Sequence, residues 1–230
     1  MQHNYIFDVD GTLTPSRGVM DVNFRAFFNS FCLVNNVYLV TGSDRAKTIE
    51  QITEPTYNLC KRVYNCSGND IWEKDINVQT NDWTLPEDAC EWLSAKLINS
   101  DFPLRTGQHF DHRPGMVNFS TVGRGATKEQ RAKYFEWDKT VNERIDISKE
   151  FNDTFPELSS KVGGETGIDI FAKGCDKGQI VNDFDITSIR FFGDRCDKAG
   201  NDYPIAILLE PHQVSHVKDW KHCWEILKNV

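Results

Sequence analysis

Tyr5-Ile6-Phe7-Asp8-Val9-Asp10-Gly11-Thr12-Leu13-Thr14 is an apolar run that stops at two carboxylates one residue apart, followed by glycine and small or hydroxyl side chains. Alternate residues of a strand share a face, so Asp8 and Asp10 point the same way where the strand runs out. At ~4 Å and an effective dielectric near 20, two like charges repel by about 4 kcal/mol. Such a pair persists when something cationic sits between the carboxylates, or when one of them must hold a proton for chemistry. A bare D-x-D reads as a solvated strand end. The whole apolar-D-x-D-G-T-L-T string, so near the N-terminus, reads as a reaction centre.

Working outward, Val37–Val40 is a second buried strand and ends in Thr41-Gly42-Ser43-Asp44. Arg62–Cys66 is a weaker third, ending in Ser67-Gly68-Asn69-Asp70, and Ser188–Phe192 a fourth, ending in Gly193-Asp194. Between them, Phe24, Phe27, Phe28 and Phe31 at i, i+3, i+4 and i+7 mark a core-facing helix, and 46–52 reads as another. Asp176 caps a helix expected from Lys177 to about Asp183, and Trp220, Cys223, Trp224 and Leu227 form the stripe of a last helix. Strands alternating with helices, each strand ending in polar residues, predict an α/β fold with a Rossmann-like parallel sheet and ligands beyond the strands' carboxyl ends.

Near residue 78 the pattern changes. Thr84-Leu85-Pro86-Glu87 has capping-box spacing and opens a helix to about Asn99; Thr127-Lys128-Glu129-Gln130 opens another, and a charged helix runs on to Phe155. Two strand-like runs, 104–112 and 116–121, flank Arg113-Pro114-Gly115 as a hairpin, with further strands at 160–163 and 168–171. Hairpins belong to antiparallel sheets. Residues 78–172 therefore read as an inserted α+β domain, and 1–77 with 173–230 as one interrupted core domain.

The net charge of −8 argues against a nucleic-acid or anionic-membrane partner. No apolar run approaches a membrane span, and no signal peptide precedes the first strand. Seven scattered cysteines without a C-x-x-C fit reduced thiols in a cytoplasmic protein. His212 and His216, at i, i+4 spacing, read as surface histidines rather than a zinc site.

In a parallel sheet four features converge: Asp8 with Asp10, Thr41 with Ser43, Lys177, and Asp194 with Asp202. Oxygen donors suit a hard divalent cation, which lets an anionic nucleophile approach a phosphate; Lys177 would stabilise the same charge. These residues, taken with Gly11-Thr12 and Gly200-Asn201-Asp202, resemble the four ordered motifs of the haloacid dehalogenase-like phosphotransferases, and the insert resembles their type-IIB cap. The resemblance implies that Asp8 is a nucleophile forming an aspartyl-phosphate and that Asp10 is the general acid/base, with its main-chain carbonyl on Mg²⁺. It implies Asp8 and Asp194 as metal ligands, Asp202 as a partner of metal or its water, and Thr41, Gly42, Ser43 and Lys177 around the transferring phosphate.

The insert also carries Arg113, Arg124 and Arg131 close together in an acidic chain. A guanidinium fork matches phosphate bidentately. The run Arg113-Pro114-Gly115-Met116-Val117-Asn118-Phe119-Ser120-Thr121-Val122-Gly123-Arg124, with Gly163-Gly164-Glu165-Thr166-Gly167-Ile168-Asp169-Ile170-Phe171, is similar to eukaryotic-type phosphomannomutases. That resemblance implies a hexose phosphate substrate, with Arg17, Arg113, Arg124 and Arg131 on the distal phosphate and sugar and Asn118 and Asp169 on sugar hydroxyls. It further implies a hexose 1,6-bisphosphate as activator, a homodimer formed through the cap, and a place in GDP-mannose biosynthesis. Three positions depart from the family pattern: Pro114, Thr41, and Gly167, where a serine is expected. A sugar-phosphate phosphatase with the same nucleophile stays open beside the mutase; it needs one phosphate site, whereas a mutase needs two.

Overall fold

The computed structural model describes residues 3–16 and 18–230; Arg17, expected to contact substrate, lies outside the described residues. From the N-terminus the elements are β1 (Asn4–Phe7), α1 (Val22–Val34), β2 (Asn36–Val40), α2 (Arg45–Ile52), α3 (Glu54–Leu59), β3 (Arg62–Asn65), β4 (Asp70–Glu73) and β5 (Ile76–Thr80). There follow α4 (Glu87–Asn99), β6 (Phe110–Arg113), β7 (Met116–Phe119), α5 (Lys128–Val141), α6 (Glu143–Thr154), β8 (Leu158–Gly163) and β9 (Gly167–Ala172). The chain closes with β10 (Ile189–Gly193), α7 (Tyr203–Ala206), β11 (Val214–His216) and α8 (Trp220–Leu227). Two compact units result, Met1–Asn81 with Cys175–Val230, and Asp82–Gly174.

The first unit is built on a seven-stranded sheet of order β11-β10-β1-β2-β3-β4-β5. The strands from β11 to β3 are parallel, and β4 and β5 are antiparallel additions at one edge. Because β1 is central, Ile6 and Phe7 are both fully buried, one on each face. Phe7 stacks on Phe192 at 4.7 Å, and Phe24 of α1 stacks on Trp224 of α8 at 5.4 Å, so the apolar stripes of those helices cover one face. Register fixes the site: Phe7 lies opposite Leu39 and Phe192, so β1, β2 and β10 end at the same level.

The second unit holds a four-stranded antiparallel sheet of order β6-β7-β9-β8. Phe119, Ile168 and Ile170 pack one face against Ala89 and Leu93 of α4 and Ile147 and Phe151 of α6. In direct cross-strand register, Asp111, Asn118, Asp169 and Lys161 form a polar row on the opposite face.

Three local expectations are corrected. Residues 104–109 are not strand: Gly107 turns the chain at φ 57°, and the Arg105 guanidinium binds the carbonyls of Leu97 and Ser100 instead of leaving the segment extended. Thr84 does not cap α4; Pro86 takes the N-cap position with no side-chain cap, and Glu87 and Asp88 supply negative charge to the first turn. Lys177–Asp183 is a 3₁₀ helix, although Asp176 does cap it through Gly178 N. His212 and His216, on a 3₁₀ turn and a strand, are both exposed, as surface histidines should be. The Thr127 capping box is present in both directions, with Gln130 as its partner.

Candidate active site

Asp8 is the first residue past β1, and its main-chain N–H donates to the Phe192 carbonyl at 2.9 Å. That bond continues the sheet one residue beyond the strand and sets Asp8 beside the end of β10. Asp194 follows β10, and Asp202 is held by the loop that ends it, where Asp202 N–H donates to the Arg195 carbonyl and the Asp202 carboxylate accepts from Arg195 N–H. Oxygens of Asp8, Asp194 and Asp202 lie within 4.8 Å of one another. Lys177 projects its ammonium between two of them, donating to Asp8 Oδ1 at 2.6 Å and Asp202 Oδ1 at 2.7 Å. Asp8, Asp202 and Lys177 are all buried. Gly11 allows this crowding: it holds φ +88°, and a Cβ there would stand 2.3 Å from Asp194 Oδ2.

Among the described residues, Asp8, Asp194 and Asp202 share the Lys177 ammonium, and the Arg195 charge reaches Asp194 only. Burial pushes the Asp8 carboxyl well up, against the pull of Lys177, and Asp202 and Asp194 push it further. Burial and the Asp202 charge raise Asp194 to about 7. Burial alone would disfavour the Lys177 ammonium, but Asp202 and Asp8 outweigh it and hold its pKa above that of an ordinary lysine. Asp8 Oδ2 is buried and has no hydrogen-bond partner among the described residues. An all-oxygen donor set with a deficit of positive charge and an orphaned carboxylate oxygen fits a hard divalent cation such as Mg²⁺.

Asp10 lies close enough for its charge to raise Asp194 too, and its carboxylate is held by two side chains. Its Oδ1 accepts from Gln51 Nε2 at 2.8 Å and its Oδ2 from Ser43 Oγ at 3.3 Å. Thr41 Oγ1 in turn accepts from Ser43 N–H, which shapes the Thr41-Gly42-Ser43 turn at the end of β2. The sequence reading missed Gln51. Its signal was a polar residue on the buried face of α2, beside Thr48 and Ile52.

The second unit gathers the other expected residues. Asn118 Nδ2 donates to Asp169 Oδ1 at 2.6 Å, while Asn118 Oδ1 is buried without a partner among the described residues. Gly167 makes room for that carboxamide, since a Cβ there would stand 2.5 Å from Asn118 Nδ2. Arg113 and Arg124 both bind Asp111, and Arg131 lies 3.7 Å from Glu165. Burial works against the Asp111 anion, yet Arg113 and Arg124 hold its pKa below the usual carboxylate value. Burial and the Arg113 charge lower that of Arg124. Arg131 N–H donates to the Thr127 carbonyl in the first turn of α5. Asp111 and Glu165 were also missed, because a carboxylate near an arginine reads as a solvated pair.

Solved structures that share this fold include a haloacid dehalogenase subclass IIB sugar phosphatase (TM-score 0.61, 12% identity, 99% of this chain and 98% of that one). A second is an N-terminally truncated IMP-nucleotidase of Plasmodium falciparum (TM-score 0.67, 15% identity, 99% and 69% covered). The fold is thus the haloacid dehalogenase type, a Rossmann-like sheet with an inserted α+β cap. Sequence goes further than fold. The family model described as eukaryotic phosphomannomutase matches residues 24–230. Phosphomannomutases of Arabidopsis thaliana (31% identical; 87% of this chain, 85% of that protein) and Encephalitozoon cuniculi (29%; 92% and 87%) align over most of both lengths. The chain belongs to the eukaryotic phosphomannomutase family and is an enzyme of that isomerase class.

Proposed function

We propose that this protein is a Mg²⁺-dependent phosphomannomutase that interconverts mannose 6-phosphate and mannose 1-phosphate through an aspartyl-phosphate and a hexose 1,6-bisphosphate. The observation that carries the phosphoryl-transfer chemistry is the buried Asp8 carboxylate, with Lys177 at 2.6 Å and Asp194 and Asp202 beside it. When bound among those carboxylates and the Asp10 main-chain carbonyl, Mg²⁺ supplies positive charge for the carboxylates and the phosphate oxygens. In the cycle, Asp10 takes the proton from the sugar hydroxyl, whose oxygen attacks the phosphorus of phospho-Asp8. The acyl–phosphate bond breaks and Asp8 leaves as a carboxylate, which Lys177 stabilises. After the bisphosphate turns, an Asp8 oxygen attacks the other phosphorus and Asp10 returns its proton to the departing sugar oxygen. Gln51 and Ser43 hold Asp10 in place for both transfers. Thr41, Gly42 and Ser43 line the transferring phosphate.

A mutase needs a second anion site to keep the bisphosphate bound while it turns. Arg113 and Arg124, on the polar face of the second sheet, and Arg131 of α5 fill that role, with Asn118 and Asp169 for sugar hydroxyls. The alternative, a sugar-phosphate phosphatase, has no use for these arginines. A cytoplasmic location and a homodimer formed through the cap belong to the same reading. Acid-quenching the protein after mixing with a ³²P-labelled hexose bisphosphate and mapping the label by mass spectrometry tests the chemistry. Label is expected on Asp8 and absent in Asp8→Asn; label on another residue overturns the mechanism.

A further inference from the structure

Asp111 binds two arginines through a single atom. Its Oδ2 accepts from Arg113 Nη2 at 2.6 Å, from Arg113 Nε at 3.1 Å and from Arg124 Nη2 at 2.6 Å. Both guanidinium side chains are largely buried, at 13% and 18% exposed. Left to themselves, two cations this close repel and swing apart, and a phosphate would have to gather them again on binding. One carboxylate between them removes that repulsion without cancelling both charges, so the trio keeps a net positive charge for an incoming dianion. Two neighbouring groups are left open for a ligand: Arg124 Nε and Asn118 Oδ1 are buried and lack a hydrogen-bond partner among the described residues. Asp111, Asn118 and Asp169 follow one another across β6, β7 and β9 in direct register, so the carboxylate that ties the arginines stands in the same row as the sugar-hydroxyl candidates.

We propose that Asp111 is a positioning residue for the distal phosphate, holding Arg113 and Arg124 as one preformed fork before substrate arrives. This rests on the reading above that the polar face of the second sheet binds that phosphate. Preorganisation is spent in binding, so its loss falls on KM. Asp111→Ala is expected to raise KM for mannose 1-phosphate by about tenfold or more, and Asp111→Glu, which can still reach both arginines, to restore most of it. The rate at which acetyl phosphate, a donor with no distal phosphate, labels Asp8 is expected to be the same in all three proteins, as is Tm to within a few degrees. An Asp111→Ala KM within about twofold of wild type overturns the inference. A lowered KM also overturns it, because the carboxylate would then only repel the phosphate. Equal damage in Asp111→Glu and Asp111→Ala, or slowed acetyl phosphate labelling, reduces Asp111 to a folding role. Failure of the wild-type protein to interconvert hexose phosphates instead overturns the underlying reading, and this is seen before any variant is made.

Discussion

Lys177→Met removes the one buried ammonium of the first site while keeping its length and apolar stem. In the intact protein Nζ is 2.6 Å from Asp8 Oδ1 and 2.7 Å from Asp202 Oδ1, so the two oxygens are no farther apart than the sum of those distances. At about 5 Å and an effective dielectric near 20, the unscreened pair repels by about 3 kcal/mol. Asp194 adds a third charge within reach. Deleting one partner of a buried ion pair costs about 3–5 kcal/mol, and a chain of this size loses about 2–4 °C of Tm per kcal/mol, so a drop of about 6–20 °C is expected at pH 8 without divalent cations. The drop shrinks at pH 5, where Asp8 and Asp194, both with raised pKa values, take up protons and relieve the repulsion. Thermal unfolding of both proteins in chelator at the two pH values measures it. A variant as stable as wild type at pH 8, or equally destabilised at both pH values, would refute the claim that Lys177 holds these carboxylates together.

The raised Asp194 pKa gives a signed pH effect in the unsubstituted protein. A carboxyl at about 7 when folded and near 3.8 when unfolded binds its proton more tightly in the folded state. Cation-free stability should therefore fall as pH rises from about 4 to about 7, and millimolar Mg²⁺ should raise Tm more at pH 8 than at pH 5; equal shifts would contradict a carboxylate-lined cation site. Gly167→Ala should push the Asn118 carboxamide off its seat, costing about 1–3 kcal/mol by denaturant unfolding and raising KM; unchanged values for both would mean the strand simply shifts. Arg144→Met should cost about 3–5 kcal/mol in the same assay, because Arg144 pairs with buried Asp138 at 2.8 Å and also ties down the Gly164 carbonyl; a loss under about 1 kcal/mol would show the pair to be replaceable.

The parallel sheet was readable because its central strands are apolar on both faces and stop abruptly at polar residues, and closeness of Asp8 to Asp194 follows from strands that end together. Less was visible at the edge. In β5 all five residues, Ile76–Thr80, are exposed, so the alternation of Ile76 and Val78 with Asn77 and Gln79 marks no buried face, and β4 beside it went unread. The change of pattern near 78 falls inside that strand, and the units separate at 81/82 and 174/175. The arginines stood out as cations in an acidic chain, but which carboxylate each one binds is a matter of register. Asp111 meets Arg124 only because β6 and β7 form a hairpin and the chain then turns back alongside. Gln51 escaped for a different reason: a neutral amide on a helix carries no chemical signature until Asp10 is found against it.

The central claim is that this protein moves a phosphate within a hexose rather than releasing it. Following mannose 1-phosphate by ³¹P NMR with Mg²⁺ and a trace of hexose 1,6-bisphosphate tests this directly. The account predicts that the mannose 6-phosphate signal grows as mannose 1-phosphate declines, with little inorganic phosphate. Inorganic phosphate appearing in step with the loss of mannose 1-phosphate, and no mannose 6-phosphate, would contradict it.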